Sequence, residues 1–311
     1  MSAPGKPPRL FNRVLAIGVG LIGGSICLGA KQRGLVGHVL GYSRRLETTH
    51  EALRLGLIDE CVVSPGDSTV RQVDAVVLSI PVRQYKQVLT QFLPVLPANC
   101  VIFDAGSTKA DVVDMIAELE PQFPGLIARF VPAHPIAGGE THGPAAALPD
   151  LFVGKNCVLT PLAGTSAVNL ERVAAFWKAL GATVNQMQAL DHDEMFGTVS
   201  HLPHLLAFAA VNALTAQPQG AAYLDMAGPG FRDFSRIAAS DASVWRDILN
   251  ANHAEVLTQV GHFRAALDQF ETALKLGDSQ TLQHLIQQAS DVRSAWTLQA
   301  GNACNKASED K

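Results

Sequence analysis

The stretch "RVLAIGVGLIGGSICLGAKQRG", Arg13 to Gly34, decides the fold class of this 311-residue chain. An apolar run typical of a buried strand leads into glycines with G-x-G-x-x-G spacing, Gly18, Gly20 and Gly23, and a segment with helical spacing follows. The first glycine permits a tight turn, the second lets the backbone approach a pyrophosphate, and the third allows close helix packing. We therefore predict a dinucleotide site at the helix N-terminus, although a glycine-rich turn of purely structural use has the same local pattern.

The alternation of strand and helix continues through the first half of the chain. The segments "HVLGYS", "AVVLSI", "CVIFDAG" and "ARFVPAHP" are short apolar runs that end in polar residues or glycine, and segments with helical spacing separate them. This repetition predicts an α/β protein with an N-terminal Rossmann-type doubly wound parallel sheet. Functional side chains then belong at the carboxyl ends of the strands, where the crossover loops form a crevice.

The second half of the chain has a different pattern. After about Thr160 the segments are long, rich in alanine and leucine and almost free of strand signal, which predicts an all-helical domain. We predict a disordered N-terminus at 1–10, a dinucleotide-binding domain at 11–160, a helical substrate domain at 161–300 and a polar tail at 301–311. A separate regulatory domain would need at least about 50 further residues, so we expect none.

Composition limits the classes of partner. A net charge of −4 argues against binding to nucleic acid or to an anionic membrane, since either needs a basic face, and a small-molecule substrate is the default. The five cysteines are scattered without a C-x-x-C pair, so neither a disulfide framework nor a zinc knuckle is indicated. No apolar run reaches the roughly 18 residues of a membrane span. We expect a cytoplasmic protein.

The second strand bears on the choice of dinucleotide. An acidic residue at its end would accept hydrogen bonds from the ribose of NAD, but this strand ends "GYSRR", with Ser43, Arg44 and Arg45. Guanidinium groups suit a 2′-phosphate, so NADP is favoured and NAD stays possible; a solvated helix N-terminus is the other interpretation. The residues that we assign to the cofactor are Gly18, Gly20, Leu21, Ile22, Gly23, Ser43, Arg44, Arg45, Ser79 and Pro81.

Two later strand ends carry candidate catalytic residues. "FDAGSTKADV" places Ser107 to Lys109 at the crevice, where Ser107 either orients a reacting hydroxyl or caps the next helix. "ARFVPAHPIAGGETHG" ends a strand at His134, which is well placed to accept a proton as a hydride leaves the same carbon, unless it is a structural histidine. Glu140 and His142 in the following glycine-rich loop are candidates to gate or contact the ligand.

The helical half adds further polar candidates. His192, His201 and His204 raise the question of a metal, but residues nine apart face opposite sides of a continuous helix, so we predict no metal site. For His204 we favour a polar contact with substrate, and structural capping is the alternative. In "GPGFRDFSRIAASD", Arg232 and Arg236 are four residues apart on one helical face. They suit a carboxylate clamp, and a surface ion-pair network is the alternative.

The motifs "GVGLIGGS", "DAGSTK", "HPIAGGE", "DHDEMFGTVSHLPH" and "GFRDFSRIAASD" occur in an order and spacing that resemble the prephenate/arogenate (cyclohexadienyl) dehydrogenases of tyrosine biosynthesis. The resemblance runs from about residue 12 to 300. It implies oxidative decarboxylation of prephenate or arogenate to 4-hydroxyphenylpyruvate or tyrosine, with hydride transfer to NAD(P), and a homodimer formed through the helical domain. Tyrosine is then expected to inhibit, if at all, as a product analogue that competes in the active site.

The resemblance also implies residue roles. His134 is expected to bond the 4-hydroxyl of the substrate ring and take up its proton, with Ser107 aiding orientation. Arg236 matches the position that binds a substrate carboxylate, His204 and Ser200 match positions near the side-chain end, and Arg232 matches a basic position that reaches the neighbouring subunit's site.

Two departures from the family pattern leave the choice of substrate and cofactor open. Gly139 and His142 stand where many relatives have Thr and Ser, in the segment thought to discriminate a ketoacid side chain from an amino-acid one, and "GYSRR" lacks the acid of NAD-preferring relatives. A β-hydroxyacid dehydrogenase or imine reductase of similar two-domain plan, and a non-enzymatic dinucleotide-sensing regulator, are the alternative functions.

Overall fold

The computed structural model describes residues 8–139 and 141–296, and its contacts divide the chain into two compact units. The first unit contains the chain up to Asp193 together with Asp241–Asp247, and the second contains Glu194–Ser240 and the helices from Ile248 on. Of the N-terminus expected to be disordered at 1–10, residues 1–7 lie outside the described residues, as do the polar tail and the candidate Glu140.

The first unit is organised around a six-stranded sheet in which all the strands that pair are parallel. Its strands are β1 Phe11–Ile17, β2 Val36–Tyr42, β3 Glu60–Cys61, β4 Ala75–Leu78, β5 Val101–Asp104 and β6 Phe130–Val131, in the order β3-β2-β1-β4-β5-β6. The strand order reverses between β1 and β4, which places the crevice beside the glycine-rich loop that follows β1. The predicted doubly wound parallel sheet is confirmed.

Helices cover both faces of this sheet. They are α1 Leu21–Gln32, α2 Leu46–Arg54, α3 Tyr85–Phe92, α4 Ala110–Leu119, α5 Leu126–Arg129 and α6 Ala167–Ala179. Successive residues of a strand point to opposite faces, so Phe103 of β5 joins one buried cluster with Trp177 of α6, while Ile102 joins the other with Tyr85 of α3. Burial on both faces explains why the strands read as continuous apolar runs.

A second, three-stranded sheet carries His134. It consists of β7 Ala133–Pro135, β8 Asn156–Leu159 and β9 Thr183–Gln186, with β7 antiparallel to β8 and β8 parallel to β9. The sequence predicted one strand through "ARFVPAHP", ending at His134, and this was wrong. Pro132 has no N–H to continue a ladder, so the chain leaves the first sheet after Val131 and starts a new strand. His134 therefore lies in the middle of β7, opposite Val158.

The segment from 161 to 193 belongs to the first unit. Strand β9 pairs with β8, and α6 contributes the fully buried Phe176 and Trp177 to the same core as Phe103. The division by contacts thus falls between Asp193 and Glu194, further along the chain than the expected boundary at 160. The sequence did not predict the short strand β9, because the segments around it have helical spacing.

The remaining chain is helical, as predicted. Its helices are α7 Ala189–Phe196, α8 Leu202–Thr215, α9 Gly220–Asp225, α10 Pro229–Ser235, α11 Ala242–Ala251, α12 His253–Leu276 and α13 Ser279–Ala295. A π-helical turn, Gly197–His201, precedes α8, and a 3-10 helix, Arg236–Ala239, follows α10. Within the described ranges, no helix has both the length and the apolar character needed to cross a membrane.

Candidate active site

The glycine-rich loop after β1 has the shape of a dinucleotide cradle. Gly18 has φ +94°, and a Cβ there would lie 2.4 Å from the Ser79 carbonyl oxygen; a Cβ at Gly23 would lie 2.0 Å from that of Gly18. At Gly20, the extended N-cap of α1, a Cβ would meet nothing within 4 Å, and no side chain caps the helix there. This open space in front of a helix N-terminus fits the pyrophosphate of a dinucleotide.

Neighbouring strand ends support the loop and place the other cofactor candidates. The Ser79 hydroxyl donates to the Gly18 carbonyl at 2.7 Å, so Ser79 acts on the loop backbone. Ile17 pairs with Tyr42 in the sheet, which brings the loop and the segment Ser43–Arg45 to the same edge. Both Arg44 and Arg45 are exposed, as is Pro81 after β4, while Leu21 and Ile22 are partly buried in the first turn of α1.

A buried carboxylate ties β5 to the strand that carries His134. Asp104 accepts hydrogen bonds from the Tyr85 hydroxyl at 3.1 Å, the Gly106 N–H at 2.8 Å and the Ala133 N–H at 2.8 Å, and it pairs with the Lys109 ammonium. Both members of the ion pair are fully buried. Lys109 therefore does not face the crevice, where its place in the sequence had put it.

A row of hydrogen-bonded side chains extends inward from His134. Nδ1 of His134 lies 2.8 Å from Nε2 of His192, and Nδ1 of His192 lies 2.7 Å from Oδ1 of Asp193. The Asp193 carboxylate in turn accepts from the backbone N–H groups of Lys109 and Ala110, each at 2.9 Å. Partly buried His134 thus stands at the outer end of a row whose inner members are buried.

The environment keeps His192 neutral and Asp193 ionised. Burial lowers the pKa of His192, and the nearby Lys109 ammonium adds to this, against the opposing hydrogen bond to Asp193. Burial alone would raise the pKa of Asp193, but the hydrogen bonds from His192 and the two backbone N–H groups outweigh it and hold that pKa below its usual value. A neutral imidazole beside a carboxylate is therefore the resting state of this pair.

Ser107 is not a helix cap. The N-cap of α4 is Lys109, and Asp193 rather than a local hydroxyl accepts the N–H groups at the start of that helix. Ser107 lies half-buried in the loop between β5 and α4. The capping interpretation of this serine is therefore wrong, and its hydroxyl stays a candidate for contact with substrate.

The loop that follows His134 returns across the glycine-rich loop. A Cβ at Gly139 would lie 3.4 Å from Leu21, and the N–H of Leu148 donates to the Ser25 hydroxyl of α1 at 2.9 Å. His134 and the cradle therefore belong to one local arrangement within the first unit. His142 is exposed, and its charge contributes to lowering the pKa of Asp241, after the larger effects of the hydrogen bonds from Ser243 and Val244.

In the second unit, three of the candidates lie together. Nδ1 of His204 bonds the carbonyl oxygen of Ser200 at 2.9 Å. Burial lowers the pKa of His204 and the charge of Arg236 lowers it further, against the opposing effect of the Ser200 carbonyl. The helix that carries His204, α8, packs against the 3-10 helix that begins at Arg236. Arg236 begins the 3-10 helix after α10, whereas Arg232 lies within α10, is 76% exposed and pairs with Asp233 at 3.3 Å.

The third histidine of that stretch has a structural environment. His201 is buried, and its Nδ1 lies 3.1 Å from the side-chain nitrogen of Asn252. The π-helical turn ends at His201, next to Pro203, which has no N–H to donate to the preceding turn. In residues 8–139 and 141–296, no three His, Cys, Asp or Glu side chains are grouped so that they could hold a metal ion.

The pair of His192 and Asp193 predicts a loss of stability in acid. Because the pKa of His192 is lowered on folding, the unfolded chain takes up the proton first, and the free energy of unfolding decreases as the pH falls below about 6.5; the lowered pKa of Asp193 continues the loss below about 4. Urea unfolding at high and low pH should show a smaller loss in His192→Gln than in the wild type. His50→Gln, at an exposed position of α2, serves as control. An equal loss in the two variants would contradict the expectation.

Two family models and a relative match most of the chain. Residues 26–186 match the family model "Prephenate dehydrogenase, nucleotide-binding domain", and residues 188–288 match "Prephenate dehydrogenase, dimerization domain". The chain is 32% identical to the cyclohexadienyl dehydrogenase of Zymomonas mobilis over 92% of its own length and 96% of the relative's.

Solved structures of two relatives are also similar. A prephenate dehydrogenase of Aquifex aeolicus, in complex with hydroxyphenyl propionate and NAD+, superposes with a TM-score of 0.83 at 33% identity, covering 91% of this chain and 97% of that one. An arogenate dehydrogenase of Synechocystis gives a TM-score of 0.77 at 25% identity, covering 92% of this chain and 100% of that one.

Proposed function

The chain belongs to the prephenate dehydrogenase family, and from this premise we propose that it oxidises and decarboxylates prephenate, arogenate or both. The products are 4-hydroxyphenylpyruvate or tyrosine, with hydride transfer to NAD or NADP. The observation that carries the proposal is the position of His134, at the outer end of a buried histidine–carboxylate row and in the strand that leads into the loop passing the dinucleotide cradle at Gly139. A β-hydroxyacid dehydrogenase, an imine reductase and a dinucleotide-sensing regulator are accordingly set aside.

His134 is the general base in this proposal. A nicotinamide dinucleotide, held by the loop of Gly18, Gly20 and Gly23, supplies the acceptor for the hydride that leaves C4 of the substrate ring. His134 takes the proton of the 4-hydroxyl at that point, and Ser107 orients the hydroxyl. When the bond between the ring and its carboxylate breaks, the electron pair enters the ring, and His134 returns the proton to the phenolic oxygen. The reaction therefore releases carbon dioxide without a net change in protons.

Residues of the helical unit bind the rest of the substrate in the proposal. Arg236 binds the ring carboxylate, because its planar guanidinium can bond both oxygens. His204 and Ser200 contact the side-chain end, and the packing of α8 against the 3-10 helix of Arg236 supports a common site. Outside the helical unit, Glu140 and His142 gate or contact the ligand, and the segment with Gly139 and His142 helps to discriminate the keto from the amino side chain.

A homodimer is the assembly that we propose, with Arg232 reaching the partner's site. The matched model of residues 188–288 is described as a dimerization domain. The last two helices also expose large apolar side chains: Leu267, Leu274, Leu276, Ile286 and Val292 are each more than half exposed. Burying such residues against a second copy would remove them from water. The location in the cytoplasm stays a prediction.

A comparison of the four pairs of substrate and cofactor tests the activity directly. Purified protein is incubated with prephenate or arogenate, each with NAD or NADP, and formation of the reduced cofactor is followed by absorbance. Release of carbon dioxide should equal formation of the reduced cofactor, because hydride transfer and decarboxylation belong to one turnover. Failure to reduce either cofactor with either substrate would refute the proposed function.

We expect NADP to be preferred, and the preference to depend on Arg44 and Arg45. Both side chains are exposed at the edge where Gly18 meets the end of β2, so they can bond a 2′-phosphate. Because hydrogen bonds between charged groups contribute about 1.5–3 kcal/mol, Arg44→Ala/Arg45→Ala should raise the KM for NADP about tenfold or more and change that for NAD little. Arg71→Ala is the matched control, since Arg71 is exposed and precedes β4, so it lies at the amino ends of the strands and not at the carboxyl ends where the cofactor is expected. An equal effect on both cofactors would contradict this role.

A further inference from the structure

We propose that His192 and Asp193 are positioning residues that hold His134 in the tautomer whose Nε2 carries the lone pair. The inference rests on the proposed function, in which His134 is the base, and it adds the reason why one ring nitrogen of His134 is able to take a proton. It follows from the direction in which the hydrogen bonds of the row must run.

The direction is set at the inner end. The Asp193 carboxylate is an acceptor only, and two backbone N–H groups, of Lys109 and Ala110, donate to its two oxygens at 2.9 Å. Backbone N–H groups cannot exchange donor and acceptor roles, so they fix the carboxylate as the acceptor at the start of α4. His192 at 2.7 Å from Oδ1 must then donate its Nδ1 proton.

The protonation of His192 in turn fixes that of His134. A neutral imidazole has one N–H and one lone pair, so His192, with its proton on Nδ1, presents a lone pair at Nε2. His134 Nδ1 lies 2.8 Å from that atom and must be the donor. Its own lone pair is then on Nε2, the nitrogen that a substrate hydroxyl needs as proton acceptor.

The opposite protonation of His192 would disable the base. If His192 carried a second proton on Nε2, His134 Nδ1 would have to accept, and the His134 proton would move to Nε2. Burial disfavours that charged form of His192. Ionisable groups that act on this pair include Asp104, Lys109 and Asp111. The Lys109 ammonium among them is paired with Asp104, which leaves the Asp193 carboxylate to orient the His192 ring.

The pair also acts when His134 is protonated. The hydrogen bond from Nδ1 to His192 is stronger when the donor ring is an imidazolium, because charged donors form the stronger bonds. The row therefore stabilises the protonated form of His134 through this hydrogen bond. Outer-shell partners that orient a metal-ligating histidine contribute about 10- to 100-fold in activity, and we expect an effect of the same order for a histidine that orients a general base.

Two substitutions of His192 test whether it acts by accepting the Nδ1 proton of His134 or only by filling space. His192→Phe keeps a ring but removes the acceptor, and it should lower kcat by about 10- to 100-fold with the substrate KM little changed. It should also move the acidic limb of the kcat–pH profile to lower pH, because His134 loses the acceptor that favours its protonated form. His192→Gln offers an amide oxygen to Nδ1 and should restore most of kcat. His50→Phe, at an exposed position, is the control, and melting temperature and dinucleotide binding verify that each variant is folded.

The kinetics of these variants distinguish failure of the positioning role from failure of the proposed function. If His192→Phe keeps the wild-type kcat and pH profile while His134→Asn is inactive, the proposed function stands and the positioning role is overturned. Equal impairment of the Phe and Gln variants would also overturn it, since acceptance of the Nδ1 proton would then not be what His192 supplies. If the wild type reduces neither cofactor with either substrate, the proposed function itself fails.

A measurement on the unmodified protein tests the tautomer without any substitution at His192. In wild-type protein labelled with 15N-histidine at neutral pH, with His134 assigned by comparison with His134→Asn, the nitrogen shifts should show a protonated Nδ1 and an unprotonated Nε2. The same tautomer is expected for His192. A protonated Nε2 on His134 would overturn the inference, whatever the kinetics of the variants.

Discussion

Replacing His134 by Asn should lower kcat by about 10²- to 10⁴-fold, the usual contribution of a positioned general base. The substitution removes the nitrogen that accepts the proton of the substrate hydroxyl. It leaves an amide N–H that can still donate to Nε2 of His192, 2.8 Å from the present Nδ1. The buried pair behind it therefore keeps its partner, and the strand pairing with Val158 involves only the backbone. We expect dinucleotide binding and melting temperature close to those of the wild type.

The measurement is steady-state kinetics of reduced cofactor formation with saturating substrate, for the wild type, His134→Asn and the exposed control His50→Asn. In the wild type kcat should fall as the pH decreases and the imidazole becomes protonated. The residual rate of His134→Asn should lack that dependence, because the ionising group is gone. Near-normal turnover in a folded His134→Asn variant would show that another group takes the proton.

The features that the sequence predicted well are local ones. The glycine-rich loop could be found because its glycines serve one turn and the start of one helix, where a Cβ at Gly18 or Gly23 would meet backbone. The parallel sheet could be predicted because strands buried on both faces read as apolar runs whatever their partners are. The second unit could be predicted as helical for the same reason, since helical spacing is a property of each segment by itself.

The row behind His134 could not be predicted in this way. His192 is 58 residues from His134, and Asp193 is 84 residues from Lys109, so no periodicity connects them. In the sequence His192 raises only the question of a metal, because residue types alone do not say which atoms donate and which accept. Asp104 was missed altogether, since one acid at the end of an apolar strand resembles many strand ends.

The strand that carries His134 shows how one residue changes an interpretation. Pro132 interrupts an apolar run that otherwise has the pattern of a single strand, and the two halves enter different sheets. His134 was expected at a carboxyl end and lies within a strand instead. His134 stays the candidate base because it contacts His192 and because the loop that follows its strand passes the dinucleotide cradle at Gly139.

Replacing Arg236 by Ala should lower kcat/KM for prephenate or arogenate by about 30-fold or more, mainly through KM, with cofactor binding unchanged. Truncating one partner of a desolvated ion pair costs about 2 to 5 kcal/mol, and 2 kcal/mol corresponds to about 30-fold. We use the lower value, about 2 kcal/mol, because Arg236 is exposed and must lose bound water when substrate binds, which reduces its net contribution. Arg236→Lys should fall between Ala and the wild type, since it keeps the charge but loses the planar fork that bonds both carboxylate oxygens.

The control and a second readout separate substrate binding from a structural role of Arg236. Arg71→Ala removes an exposed arginine at the amino edge of the sheet and should leave both KM values unchanged. His204 offers an internal probe, because the charge of Arg236 contributes to lowering its pKa, after burial. In Arg236→Ala that pKa should rise toward the ordinary value, which NMR titration of the ring can follow. A risen His204 pKa together with an unchanged substrate KM would mean that Arg236 acts on its histidine neighbour and not on a substrate carboxylate, and the clamp would have to be sought elsewhere in the helical unit.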